Sequence, residues 1–522
     1  MTDTINITKA PHPDLFCHDM PTLPCPEKGK VLITGATGYI GGRLVPELVA
    51  RGYDVRVMVR KISPEQNEKW PDVEIVEADA LKKETLDSAM EGIYTAYYLI
   101  HSMLLGHRKF ESADITAAKN FREASERNKL QRIIYLGGLG DTRSSLSPHL
   151  RSRMGVADEL LKGRVPVTTL RAAVIIGSGS ASYEIIKHLV RNLYVLILPR
   201  WVKTRCQPIG IRDVIKYLVG VLETDETKGR SFDIGGPDIL TYESLLKASA
   251  RLNGKTKFFI PSPVSNIRLF SYMVSLMTPV PAPISFCLME GIVNEVVCKN
   301  QDIQKLIPFQ PIPHTLALKR ALEREILENV STRWSDAYPR TYTRATKLID
   351  LKLPPRFTSS YSLFSTKNEA SLFHSICRIG GDQGWFNSNW MWKLRGLLDR
   401  MLLGVGTQRG RKSDALLRIN DIIDFWRIEN LVQNQLLLLR AEMKLPGKAW
   451  LEFSIKKEFQ GNILSVTAYY EPEGRFGVLY WYIFLPFHHY IFNDIIVQIE
   501  KKSRISERNI TVLAAQPDDR EE

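Results

Sequence analysis

Residues 30–43, Lys-Val-Leu-Ile-Thr-Gly-Ala-Thr-Gly-Tyr-Ile-Gly-Gly-Arg, set Gly35, Gly38 and Gly41 at GxxGxxG spacing between an apolar run and an amphipathic stretch. Each glycine has a mechanical task. Gly35 permits a tight turn, Gly38 lets backbone N–H groups approach a pyrophosphate, Gly41 allows close helix packing, and the helix N-terminus attracts the anion. The chemistry is that of gripping a dinucleotide, with Thr34, Thr37, Tyr39 and Ile40 in the same contact set; the competing reading is a chance glycine turn. About 20 residues on, an NAD site would carry an acidic residue for the ribose hydroxyls. Here the run Val-Met-Val59 ends in Arg60. A cation favours a 2′-phosphate, so NADP(H) is expected over NAD(H), with Arg43 as a second contact; a solvated arginine is the alternative. Asp79 and Ala80, after the third strand, could hold adenine, and His101 and Ser102 follow the fourth. Both pairs could equally cap loops.

The elements that must position these residues are legible as alternation. Val31–Thr34, Val55–Val59, Val73–Val76, Ala96–Ile100, Arg132–Leu136 and Val165–Leu170 are strand-like, with amphipathic stretches between them, as in parallel βαβ units. Residues 110–127 carry Phe110, Ile115, Ala118 and Phe121 on one helical stripe, predicting a crossover helix. The α/β text continues through Ile211–Leu222, Ser231–Ile234 and Tyr242–Leu252, then turns irregular over Phe259–Thr278 among prolines. This predicts a Rossmann-type, doubly wound α/β domain over 29–330 with a small substrate subdomain, its last helix over His314–Leu327. A loose tail is expected over 1–28 and a linker over 331–345.

Thr34–Gly41, Asp79, Asp114–Ala124, Arg132–Gly140 and Leu170-Arg171 together resemble the extended, atypical branch of the short-chain dehydrogenase/reductase superfamily, the NmrA-like and complex I accessory-subunit-like branch. The resemblance implies a catalytic Tyr, a Lys three residues on, a Ser, and an Asn in the crossover helix. None is matched. His149-Leu-Arg-Ser-Arg153 stands where Tyr-x-x-x-Lys should, Gly137-Gly138-Leu139-Gly140 ends the serine strand, and the crossover helix carries Asp114. His149 could act as general acid with Arg153 one turn away to hold ribose or phosphate; otherwise both are surface groups. Ser180 and Tyr183 follow a strand where the family binds nicotinamide and substrate, and are the expected substrate contacts, a plain glycine-serine loop being the alternative. The resemblance leaves two functions open: an oxidoreductase on a hydrophobic carbonyl or quinone-like compound, or a non-catalytic redox sensor or assembly factor.

After residue 346 the text changes character. Six of nine Trp lie between Trp385 and Trp481, and Trp450–Ile455 alternates strictly, as a half-buried antiparallel strand does. Ile422–Ile428, Gln435–Met443 and Ile463–Tyr470 are its expected neighbours, and Ile491, Ile495, Ile496 and Ile499 predict a long helix across the sheet. Residues 346–503 are thus expected to form an α+β antiparallel domain, with a tail over 504–522. Trp385–Asp399, Gly404–Gly406, Arg409–Arg411, Asp424–Arg427 and Glu442–Trp450 resemble an uncharacterised domain fused behind atypical short-chain dehydrogenases in bacteria, which itself resembles the helix-grip fold of lipid-binding proteins. That implies a small hydrophobic ligand. The Trp residues could line its cavity and Arg395, Arg400, Arg409, Arg411, Lys412 and Arg418 form an anionic rim; core aromatics and a solvated basic face are the alternative.

The 522 residues carry six scattered Cys and a net charge of +13. These exclude a disulfide scaffold and give no metal-ligand spacing. The N-terminal stretch lacks the apolar block of a secretory signal and Val478–Phe487 is half a membrane span, so a cytoplasmic protein without transmembrane helix is expected. The charge fits phosphorylated cofactors or acidic lipid at a peripheral contact. No nucleic-acid recognition motif accompanies it, and oligomeric state is not legible.

Overall fold

In the computed structural model, the described residues are 15–101, 110–140, 148–326, 330, 332–337, 346–411 and 417–503. Seven parallel strands form the first sheet: β1 (Lys30–Thr34), β2 (Val55–Val59), β3 (Glu74–Glu77), β4 (Ile93–Tyr98), β5 (Arg132–Gly138), β6 (Val167–Ala172) and β7 (Ser231–Ile234). Their order is β7-β6-β5-β4-β1-β2-β3. The chain reverses direction of growth at β1 and β4, where an open α/β sheet has its ligand crevice. Alternate residues face opposite layers. Ile33 joins a core with Leu44, Val45 and Leu48 of α1 (Gly41–Ala50). Leu32 joins the other core, with Ala118 and Phe121 of α2 (Phe110–Arg127) and Leu160 of α3 (Pro148–Leu161). Covering both faces explains the unbroken apolar runs of these strands.

Residues 15–28 correct the expectation of a loose tail. Cys17 is fully buried, and the Phe16 and Cys17 amides donate to Glu47 of α1 at 2.9 and 3.1 Å. Arg51, paired with Glu223 at 2.6 Å, also donates to the Cys17 and Thr22 carbonyls. The composition reads as tail, but it is tied down by backbone bonds that no apolar periodicity announces.

The subdomain contains α4 (Ala181–Asn192), α5 (Ile211–Glu223), which packs back on the main sheet, α6 (Tyr242–Leu252), α7 (Ile267–Met277), α8 (Ala282–Ile292) and α9 (His314–Ile326). The stretch read as irregular is mostly α7. Its prolines bracket the helix instead of interrupting it, and the Asn266 carboxamide accepts from the Arg268 and Leu269 amides to start it. Thr332, in the expected linker, is buried against the first domain.

The second sheet is antiparallel, in the order β8-β13-β12-β11-β10-β9. Its strands are β8 (Phe357–Ser365), β9 (Ile422–Ile423), β10 (Trp426–Val432), β11 (Leu436–Ala441), β12 (Gly447–Glu458) and β13 (Gly461–Pro472). Between β8 and β9 come α10 (Glu369–Ile376) and α11 (Asn389–Met401), and α12 (Gly474–Lys502) closes the chain. Leu451, Phe453 and Ile455 of β12 share one core with Ile495, Ile496 and Ile499 of α12, as the two periodicities require. The single strand expected over Ile422–Ile428 is a hairpin: Asp424, at φ 55°, turns the chain so that Ile423 pairs with Trp426.

Most tryptophans of this domain are core, Trp390 being exposed. Trp385, Trp392 and Trp426 are buried, the first two stacked at 4.6 Å between centroids. The basic run is neither a rim nor a solvated face at three positions. Arg400 and Arg409 are buried, and Arg411 donates to the Cys377 and Ile379 carbonyls.

Candidate dinucleotide site

Thr34 is fully buried at the end of β1. Its hydroxyl donates to the Tyr97 carbonyl at 2.8 Å and accepts from the Leu99 amide at 3.1 Å, locking β1 to β4 at the switch point. Thr34 therefore shapes the turn instead of lining its surface. Gly35 has φ 68°, and a Cβ there would stand 2.6 Å from the Leu99 carbonyl oxygen. The Gly38 amide donates back to the Gly35 carbonyl at 2.9 Å, closing the loop on itself, so that N–H is spent inside the turn. A Cβ on Gly41 would stand 2.4 Å from the Gly35 oxygen and 2.8 Å from the Ala36 Cα. Helix α1 begins without a side-chain cap at Ile40, leaving its positive end without a protein acceptor from a capping side chain. Thr37, Tyr39 and Ile40 are half-buried around it. Gly41→Ala is expected to weaken NADPH binding by at least about tenfold in a cofactor-fluorescence titration, because the opposing atoms are backbone and cannot swing aside. Near-parental affinity would contradict the fit of this turn to a pyrophosphate.

Arg60 lies exposed at the carboxyl end of β2, with no hydrogen-bond or ion-pair partner among the described residues. Arg43 does not back it up. Its guanidinium stacks over Tyr39 at 4.2 Å and donates to the Tyr39, Thr332 and Ser178 carbonyls at 3.2, 3.0 and 3.0 Å, and to the Thr332 hydroxyl. The expected second phosphate contact is thus corrected to a clamp that fastens residue 332 onto α1. Burial pushes the neighbouring Tyr39 phenol up. The Asp79 carboxylate accepts from the Leu81 amide at 3.0 Å, and the Ala80 carbonyl accepts from Asn120 at 2.9 Å, so this pair forms a braced turn at the end of β3.

Past β4, His101 Nδ1 lies 3.1 Å from an Asp114 oxygen, and the Ser152 hydroxyl donates to the same oxygen at 3.1 Å. Asp114 on α2 is buried and joins the end of β4 to α3. Burial, with the charge of Arg153, pushes the His101 imidazole down to about 4 despite the carboxylate. His101 is therefore neutral near pH 7. Arg153, half-buried, packs its side-chain stem about Gly138 at the end of β5, and its carbonyl accepts from Tyr135 at 3.0 Å. His149 belongs to α3, but its side chain and all of Ser102 lie outside the described residues.

The sequence reasoning missed Ser152, and it read Asp114 only as a departure from a family pattern. Their pairing spans two helices and has no local signal. Because the native His101 titrates lower than an unfolded one, the unfolded chain binds more protons between pH 6.5 and about 4. This group's contribution is expected to be full above pH 6.5 and to be lost on acidification to 4. Imidazole NMR should give a native midpoint near 4, and a midpoint above 6 would contradict its burial.

Ser180 and Tyr183, the expected substrate contacts, are structural. Ser180 caps α4, accepting from the Tyr183 amide at 3.2 Å and donating to Ile175 O at 3.2 Å, and the Tyr183 side chain is buried in the subdomain core. A serine after a strand is as much a helix start as a ligand contact.

Residues 35–181 match a family described as NAD(P)H-binding, over this glycine turn and the strands that follow it. The first domain is thus similar, over this turn and the strands behind it, to NAD(P)-binding domains. Among its relatives are the photosystem II assembly factor Ycf39 of Trieres chinensis, 22% identical over 46% of this chain and 74% of that protein. The mitochondrial NADH dehydrogenase [ubiquinone] 1 alpha subcomplex subunit 9 of Arabidopsis thaliana is 25% identical over 53% of this chain and 74% of its own length. A Citrobacter triphenylmethane reductase complexed with NADP(H) superposes with a TM-score of 0.47 at 19% identity, covering 56% of this chain and 99% of that one. Behind the first domain, residues 354–495 match a family described as a protein of unknown function (DUF2867). Among the described residues, no helix is long and apolar enough to cross a membrane.

Proposed function

We propose that the dehydrogenase-type domain binds NADP(H) in preference to NAD(H) and that the protein is a cytoplasmic reductase of a hydrophobic quinone-like or carbonyl compound. The observation carrying the nucleotide reading is Arg60, an exposed guanidinium without a partner among the described residues, where an NAD site needs a carboxylate. The turn at Gly35 and Gly41 and the uncapped start of α1 fit the pyrophosphate. When bound, the reduced cofactor supplies a hydride. Arg153, whose stem packs at the Gly138 end of β5, is the residue we assign to hold the ribose or phosphate. The proton comes from His149 or water, since neutral His101 donates no imidazolium proton at pH 7. A quinone suits such a site because its hydroquinone anion is stable without an enzymic acid. The second domain's sheet order and closing helix support a helix-grip-like reading, with a hydrophobic ligand held against that sheet.

A second reading is a non-catalytic redox sensor or assembly factor. It is favoured by the absence of the Tyr, Lys and Ser relay and by the structural employment of Ser180 and Tyr183. Absorbance at the nicotinamide band separates the two. Oxidation of NADPH dependent on protein and quinone supports the reductase; saturable binding with no oxidation by quinones or enones supports the sensor.

A further inference from the structure

Helix α11 is apolar on the outside as well as at its core contact. Its inward face carries Trp392, Gly396 and two buried charged residues: Asp399 is fully buried and accepts from the Gly406 and Lys444 amides at 2.8 and 2.7 Å, and Arg400 donates to the Val405 carbonyl at 3.3 Å. Its outward face, at helical spacing, is Trp390, Lys393, Leu394, Leu397, Leu398 and Met401. Trp390 is 62% exposed and Leu394, Leu397, Leu398 and Met401 are each about half exposed, with Leu402 continuing the face at 62%. The stripe is about 18 Å long at 1.5 Å per residue. Ordinary surface helices keep charged and polar side chains on the side that faces water.

On this helix and its neighbour α7, the exposed charges have one sign. Helix α7 lies against α11, joined by the Tyr272 hydroxyl on the Met401 carbonyl at 3.2 Å and by Gln408 on the Leu276 carbonyl at 2.9 Å. It contributes exposed Leu269 and Arg268 and contains no acidic residue. In α11 the one carboxylate is the buried Asp399. The partly buried Asp494 is held by Asn387 and Ser388 at the helix start. An apolar face with a tryptophan at one end, Lys393 and Arg268 at its margin and no exposed carboxylate on either helix is complementary to an anionic bilayer surface. A soluble protein partner would find little on these two helices to pair with its own basic groups.

We infer that the outward face of α11, with α7 beside it, docks on an anionic lipid bilayer, the helix lying in the plane of the headgroups. The inference concerns the second domain's surface and does not depend on turnover at the nucleotide site.

Flotation of the full chain with vesicles of equal parts phosphatidylcholine and phosphatidylglycerol, and with phosphatidylcholine alone, tests it. The expected result is recovery with the anionic vesicles, reduced by salt and by Lys393→Gln, and lowered about tenfold or more in Leu394→Glu/Leu398→Glu. Trp390→Ala, a milder change, should lower it less, and the calorimetric unfolding midpoint and near-UV circular dichroism of the tryptophan core in all three variants should match the parent, showing that the second domain folds. Equal recovery of parent and Leu394→Glu/Leu398→Glu would overturn the assignment. So would a parent that stays with the buffer, or a concentration-dependent dimer that the double variant abolishes without any vesicle binding, which would give the face to a second copy of the chain.

Discussion

Arg60→Asp is expected to invert nucleotide preference: NADPH affinity falls about tenfold to a hundredfold while NADH affinity is kept or improved. The guanidinium stands at the end of β2 without a partner among the described residues. Removing it takes away a charge-assisted donor, and the new carboxylate repels a 2′-phosphate while accepting from ribose hydroxyls. Because Arg60 is exposed and braces nothing, the variant should melt like the parent. Parallel fluorescence titrations with both nucleotides check this. An unchanged ratio of the two affinities would remove Arg60 from the site.

Glu442→Gln should destabilise the second domain by roughly 3–5 kcal/mol and lower its unfolding midpoint by roughly 10 °C. Glu442 is buried between Arg409 at 2.7 Å and Arg427 at 2.5 Å. Burial alone would raise its carboxyl, but the two guanidinium groups outweigh it and hold the acid well below the usual range. A neutral amide of the same shape keeps the packing and leaves buried cations uncompensated. Since the folded carboxyl titrates lower than the unfolded one, its contribution is present above about pH 4.5 and lost below it. Calorimetry of parent and variant measures the shift, with NADPH binding as the control for the first domain. An unchanged midpoint would mean that this ion cluster does not hold β10 and β11 together.

The parts of this molecule that were legible in the sequence are those written in local period or spacing. The helix predicted over 110–127 is α2, residue for residue, because its apolar stripe and its ends are both local. The glycine turn was readable because Gly35 and Gly41 each answer a steric demand, set by backbone within a few residues or at the end of the neighbouring strand. Ser180 is a local matter, since a serine three residues before the amide it accepts from reads equally as a helix start or a ligand contact. Arg43 and Tyr183 have side chains suited to a ligand, yet each is taken up by partners that sequence distance hides: Thr332 lies 289 residues from Arg43, and Tyr183 shares a core with Leu318. The buried arginines of the second domain failed in the same way, since the pairing of Arg409 with Glu442 crosses 33 residues. The outward apolar face of α11 was hidden by the opposite effect. The helix is apolar on the outside as well as at its core contact, and pattern alone does not say which side the protein keeps.

The most direct measurement of the central claim is calorimetric titration of the intact chain with NADPH and then with NADH. A single saturable site is expected, with NADPH binding at least about tenfold tighter. A folded protein giving no heat with either nucleotide would contradict it.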